Sequence, residues 1–268
     1  VMCGYQGWFN ARGDGSELGW AHWTKGRGGS FGLENVAVDP WLDMSEFGPG
    51  ERYSSGFRNA DGSVAEVFSS HDRLTVLRHF EWMREYGIDG AFVQRFANGL
   101  SRPEMKDHKD VVLKHAREGA NRNGRAYAVM YDLSGLPEGG VDRAREDWIR
   151  LRTEMKITED PAYLRHEGRP LVSVWGIGFS DRGKKRAFLW SQIEEAKALG
   201  SQMLYVAMFD EVDEGTAIFK CVNNPPSGDG VPFLDYEGLP SDYYLKLVGD
   251  AGRLLRDERS LKAGQPTG

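Results

Sequence analysis

The sequence predicts an α/β fold, a (β/α)8 TIM-like barrel that is incomplete or lacks two strands between residues 177 and 187. Three observations carry this expectation. Apolar runs of strand length alternate with segments of helical periodicity, the order that builds a parallel sheet. Gln94, Arg95, Asp132 and Glu211 fall at the C-terminal ends of such runs, where a barrel places its site. The chain has 268 residues, which suits one barrel domain spanning residues 1–268.

The elements follow in order. Val1 to Phe9 reads as a strand, and Asn10 to Ser70, rich in Gly, Asp and Trp, reads as an elaborated loop. From Asp72 to Tyr86 the residues Leu74, Leu77, Phe80, Trp82 and Met83 recur near helical spacing, and Gly87 supplies the stop. Ile88 to Phe96 is the next strand. The pattern then repeats: helix around Lys106 to Asn121, strand Ala126 to Asp132, helix around Asp142 to Met155, strand Pro170 to Gly176 and helix Arg186 to Leu199. Met203 to Phe209 forms an apolar strand, Val231 to Tyr236 another, and Asp242 to Leu255 closes the chain as a helix. That is six strands where a closed barrel has eight, and the connection from Trp175 to the helix near Phe188 is too short for the missing pair.

Hydrophobic residues make up 40% of the chain, enough for a large core. The net charge of −6 argues against nucleic acid and anionic membrane as partners, because phosphate binding leans on clustered Lys and Arg. The runs Lys184-Lys185-Arg186 and Arg253 to Arg256 read as solvated faces. No apolar stretch reaches the roughly 18 residues of a membrane span, so no membrane insertion is expected. No basic-then-apolar signal segment is read at the N-terminus, and Val1 to Phe9 reads as a start inside the fold. Cys3 and Cys221 form neither a metal pattern nor a disulfide framework and are expected as two buried thiols.

The strongest chemical signal is the strand from Met203 to Phe209, which runs into Asp210, Glu211, Asp213 and Glu214 with no Lys or Arg beside them. Crowded acids raise one another's pKa, which lets one carboxyl stay protonated while another is ionised. The plainer alternative is a solvated acidic loop with Asp213 or Thr216 capping a helix. Trp8, Trp20, Trp23, Trp175, Tyr5, Tyr131 and Phe209 lie at strand ends or in the first loop. Rings beside acids suit a carbohydrate, whose apolar faces stack on aromatics; half of these rings are expected to be core, with Tyr5, Trp23 and Trp175 favoured as sugar contacts. Gln6, Gln94, Arg95, Asp132, Asp210 and Asp213 are the expected polar lining, and His22 and His71 the expected hydrogen-bonding histidines of the same rim. No zinc spacing and no EF-hand alternation accompanies them, so neither metal nor cofactor is expected.

Phe209-Asp210-Glu211-Val212-Asp213-Glu214-Gly215-Thr216 resembles the Asn-Glu-Trp-His-Glu-Gly-Thr signature of the endo-α-mannosidases of glycoside hydrolase family 99, and the 71/99-like bacterial proteins related to them. Gly4-Tyr5-Gln6-Gly7-Trp8-Phe9, Gly19-Trp20-Ala21-His22-Trp23 and Tyr86 to Gln94 fit the same group. The resemblance implies a retaining hydrolase of α-linked glycans, mannan-like in substrate. In such enzymes the first Glu, here Glu211, acts as base on the sugar's own 2-hydroxyl to give a 1,2-anhydro sugar, and the second, here Glu214, protonates the leaving oxygen. This route departs from the usual nucleophile-plus-acid pair. Val212 and Asp213 stand where the signature has Trp and His. The resemblance also implies an oligo- or polysaccharide partner and an extracellular or periplasmic location. The competing expectation is a carbohydrate-binding barrel without turnover, favoured by the short connection after Trp175.

Overall fold

The computed structural model describes residues 1–26, 29–134, 141–175, 193, 197, 203–226 and 233–258. In chain order the strands are β1 (Met2–Tyr5), β2 (Tyr53–Arg58), β3 (Val64–Val67), β4 (Gly90–Phe96), β5 (Ala126–Asp132), β6 (Arg165–His166), β7 (Arg169–Pro170), β8 (Val172–Trp175) and β9 (Tyr205–Val206). The helices are α1 (Arg73–Glu85), α2 (Pro103–Asn123), α3 (Val141–Thr153) and α4 (Tyr243–Leu255), with short 3-10 turns at Ala97–Ser101 and Val212–Glu214.

Five of the strands form one parallel sheet in the order β8-β5-β4-β1-β9. The sheet is curled into a half-barrel: Trp175 at the end of β8 and Tyr205 at the start of β9 lie on opposite edges, yet their ring centroids are 6.2 Å apart across the interior. Register fixes which residues face inward. Gly4 pairs with Phe92, Phe92 with Ala128, and Phe96 with Asp132, so the even-numbered positions of β1, β4 and β5 form the inner layers. The odd-numbered neighbours face the helices, because successive strand residues point to opposite faces. A Cβ at Gly4 would sit 2.2 Å from the sulfur of Met208 and 2.3 Å from Tyr205 Oη, so a larger residue there would push these two side-chain ends aside.

The helices cover the outer face. Val76, Phe80 and Met83 of α1 are fully buried, and each such side chain contributes roughly 1.5–3 kcal/mol of burial. Gly119 of α2 lets the two helices close, as a Cβ there would meet the Phe80 ring at 2.9 Å. An aromatic core of Phe9, Trp23, Phe31, Trp41, Phe57 and Phe68 lies beneath the long first loop.

Three expectations change. The stretch Asn10 to Ser70 is not loop throughout: β2 and β3 form an antiparallel hairpin that buries Phe57, Ala65 and Val67. Its turn is made at Asn59 to Gly62, with Gly62 at φ +84°. No strand forms at residues 233–236, where Leu234 makes only an isolated bridge to Pro40. The strand from Met203 shortens to Tyr205–Val206: Met208 bonds through N–H and carbonyl to Thr216 and Ile218, and Phe209 keeps its N–H on the Gly4 carbonyl of β1 while its own carbonyl accepts from Ile218 and Phe219. The expected helix Arg186 to Leu199 and the connection at 177–187 lie outside the described residues, apart from Ile193 and Lys197. Ile193 packs on Leu247, Ala251 and Leu254, and Lys197 donates to the Leu255 carbonyl at 3.2 Å.

Candidate active site

All five parallel strands end on one side, and the acidic loop after β9 lies at that rim. Asp210 is fully buried, and its two oxygens accept the backbone N–H groups of Gln6 at 2.8 Å and Gly7 at 2.9 Å. Burial pushes its carboxyl up to about 7, against the pull of those two hydrogen bonds. Gly7 takes φ +56° to present its N–H, and a Cβ there would come within 2.5 Å of Val112. Behind it His108 lies 2.9 Å from the Gly7 carbonyl through Nε2, so α2 braces the peptide that holds Asp210.

Glu211 is nearly buried and held at both oxygens. Gln6 Nε2 donates to Oε1 at 2.5 Å, and Thr216 Oγ1 donates to Oε2 at 2.7 Å. Burial raises the Glu211 pKa, the charges of Glu214 and Asp213 add to the rise, and the Thr216 and Gln6 hydrogen bonds oppose it. One 3-10 turn, Val212–Glu214, then swings the chain back, and Gly215 at φ +66° ends it. Thr216 thereby returns to Glu211, while Glu214 stands exposed to solvent one turn further out. Asp213 faces the first loop, where His22 Nδ1 lies 3.0 Å from its Oδ2.

The remaining expected residues divide by strand parity. Gln94, Asp132 and Trp175 lie on the inward parity of their strands, and Gln6, just past β1, reaches Glu211 with its side chain. Gln94 Nε2 donates to Tyr205 Oη at 3.5 Å. Gln6 Oε1, Gln94 Oε1, Trp8 Nε1 and Asp213 Oδ1 are buried without a hydrogen-bond partner, four polar atoms around one mouth. Unpartnered buried polar atoms are costly, and a bound polyol or water would satisfy them.

Arg95 and Tyr131 were expected in the cleft and point the other way. Each follows an inward-facing residue in its strand, so each faces the helices. Arg95 pairs with Asp147 at 2.7 Å and with Asp110 at 3.0 Å, and Tyr131 donates to Asp147 at 2.7 Å. Tyr5 and Trp23 are likewise core: neither has exposed surface, Tyr5 Oη lies 2.8 Å from His79 Nδ1, and Trp23 donates to the Phe68 carbonyl at 3.2 Å. Trp20 packs on Phe31 at 5.4 Å. Trp8 is at the rim, but both its faces are covered, by His22 at 3.8 Å and a 7° interplanar angle, and by Phe96 at 5.2 Å. It offers an edge and its Nε1 to a ligand, not a stacking face. His71 has no hydrogen bond to the acids and stacks on His108, its Nδ1 3.1 Å from that residue's Nδ1.

Sequence reasoning missed Thr216, His108 and Phe96 as parts of the site. Thr216 was readable as the end of the acidic motif. Phe96 was readable too, from its even parity with Gln94. Among the described residues no His, Cys, Asp and Glu group is arranged to hold a metal ion, and no helix is long and apolar enough to cross a membrane.

No family model matches the chain. A solved structure of the GH99 endo-alpha-mannosidase from Bacteroides thetaiotaomicron superposes with a TM-score of 0.62 at 14% identity, covering 96% of this chain and 97% of that one. The chain has the GH99 fold. A second structure of that enzyme, in complex with BIS-TRIS-Propane, gives a TM-score of 0.60 at 14% identity over 98% of each chain. Its neighbours of the GH99 fold are glycoside hydrolases, and the five-stranded sheet described above is the arc of such a barrel.

Proposed function

We propose that the protein is a retaining glycoside hydrolase of an α-linked, mannan-like glycan, with residues 1–268 forming one catalytic domain that acts outside the cytoplasm. The observation that carries this reading is the Glu211 carboxylate, clamped by Gln6 and Thr216 at the mouth of a GH99-fold sheet, with its pKa raised and Glu214 one turn away. A carboxylate with a raised pKa is a stronger base near neutrality. Glu211 removes the proton of the sugar 2-hydroxyl, O2 attacks C1, and the C1–O glycosidic bond breaks as Glu214 gives its proton to the leaving oxygen. Water then opens the 1,2-anhydro sugar with the proton transfers reversed, and both carboxyls return to their starting states. Solvent exposure of Glu214 supports its exchange of protons with the leaving group and with water. Gln6, Gln94, Asp213 and Trp8 supply unpartnered polar atoms for sugar hydroxyls.

A binding-only role is the second reading, favoured by the filling of the sheet interior by Phe92, Tyr205 and Met208. Turnover separates the two. Purified protein is assayed on α-mannans, α-glucans and arabinans with product analysis. Glu211→Gln and Glu214→Gln should fold like wild type and lose on the order of 10² to 10⁴ in rate on the substrate found. Variants within a few-fold of wild type would remove the assignment of the pair.

A further inference from the structure

Resting on the glycoside hydrolase reading above, we propose that the glycan carries a free amino group at a ring position other than C2, and that its ammonium is bound at the mouth of the sheet by the side-chain oxygens of Gln6 and Gln94. Position C2 is set aside because Glu211 works on the 2-hydroxyl in the route described above.

The unpaired atoms of the mouth are mostly of one kind. Gln6 Oε1, Gln94 Oε1 and Asp213 Oδ1 are acceptors, and Trp8 Nε1 alone of the four is a donor. A sugar hydroxyl both donates and accepts, so a lining for a neutral glycan offers donors and acceptors together. An ammonium donates three hydrogen bonds and accepts none, which matches a lining rich in acceptors. Both glutamines are deep in the structure, Gln6 at 6% exposure and Gln94 at 3%. The Gln6 amide is oriented by its neighbour: Nε2 donates to Glu211 Oε1 at 2.5 Å, which leaves Oε1 as its free end. Gln94 Nε2 donates to Tyr205 Oη at 3.5 Å and leaves Oε1 free in the same way. The two stand at adjacent strand ends, since Tyr5 pairs with Val93 and each glutamine is the next residue along.

Charge points the same way. Asp210, Glu211, Asp213 and Glu214 crowd one loop, and among the described residues His22, on Asp213, is the basic side chain paired with them. The charges of Glu214 and Asp213 act on Glu211, and those of Glu211 and Asp213 on Asp210, all of like sign. Tyr205 places Gln94 in this field, because the hydroxyl that Gln94 reaches feels the charges of Glu211 and Asp210. Arg95, the residue after Gln94, faces the helices and is engaged by Asp147 and Asp110, and Lys109 lies over the Phe96 ring. A bound cation relieves the repulsion among the acids, and hydrogen bonds from a charged donor are roughly twice as strong as neutral ones. Trp8 Nε1 remains for a hydroxyl of the same glycan.

Calorimetric titration into wild type, Gln94→Leu and Asp213→Asn tests the assignment, at about pH 6, where an aliphatic amine is charged. The ligands are methyl α-D-mannopyranoside, its 4-amino-4-deoxy and 6-amino-6-deoxy derivatives, the N-acetyl form of each amine, and ethanolamine. Wild type should bind one of the two amino sugars about tenfold more tightly than the parent sugar and than its own uncharged N-acetyl form. Gln94→Leu should lose most of that preference, and Asp213→Asn, which removes charge and keeps shape, should lose part of it. The amine preferred, at C4 or C6, assigns the position. No preference in wild type, a preference unmoved by both substitutions, or ethanolamine bound as tightly as the amino sugars overturns the proposal. If Gln94→Leu does not fold, Asp213→Asn carries the test. Hydrolysis of neutral glycans without amine preference would sink this proposal alone, and amine preference without hydrolysis of any glycan would sink the hydrolase reading alone.

Discussion

At the scale of single residues, the proposed chemistry rests on how Glu211 is held. The Thr216 hydroxyl stabilises the charged carboxylate and so opposes the rise caused by burial. Thr216→Val removes that hydrogen bond and raises the Glu211 pKa further. A base must be ionised to act, so the acidic limb of kcat/KM against pH should move upward by up to about one unit, equivalent to about 1.4 kcal/mol. A limb that stays in place would show that Glu211 is not the titrating base. Much of this centre was legible in the sequence, because an apolar strand leading into unpaired acids marks a barrel rim. Side-chain direction was less so. Arg95 and Tyr131 were expected inside although strand parity, once Gln94 is set inward, turns both outward. The covering of Trp8 by His22 depends on a residue 14 positions away taking φ +64°, which no local pattern announces.

At the scale of elements, α1 and α2 were legible because their periodicities are long and glycines follow them, and β4 and β5 because each is a largely apolar run of seven residues. The hairpin of β2 and β3 was not, since Tyr53-Ser54-Ser55-Gly56-Phe57-Arg58 is half polar and only one face is buried. Short glycines also set how closely elements approach. Gly249 of α4 packs against the end of α1, and a Cβ there would fall 2.0 Å from the Tyr86 carbonyl oxygen. Backbone cannot yield as a side-chain tip can. Gly249→Ala should therefore destabilise the protein by about 3 kcal/mol, despite alanine's better helix propensity, as read by urea unfolding. A variant as stable as wild type would show that α4 does not dock on Tyr86.

At the scale of the whole molecule, buried groups of two kinds set opposing pH responses. His79 and His108 are pushed by burial down to about 3, so their contribution is present above 6.5 and is lost as pH falls toward 3. Asp210 is pushed up to about 7, so its contribution is present below 3.8 and is lost as pH rises through 7. Between pH 4 and 6.5 the two kinds partly cancel. Asp210→Asn removes the acid's share, and its stability should fall more steeply with acid than that of wild type, by about 1.4 kcal/mol per pH unit in urea melts. Parallel slopes would place Asp210 in solvent. Such a buried, near-neutral acid costs stability at neutral pH, which a site for chemistry tolerates and a plain scaffold does not need.

The central claim is hydrolysis with retention by Glu211 and Glu214, and time-resolved proton NMR of the products from an α-mannan tests it most directly. Wild type should release the α-anomer first, with the β-anomer growing only by later mutarotation, and Glu211→Gln should release neither on the same timescale. A β-anomer formed first, or undiminished release by Glu211→Gln, would contradict the account.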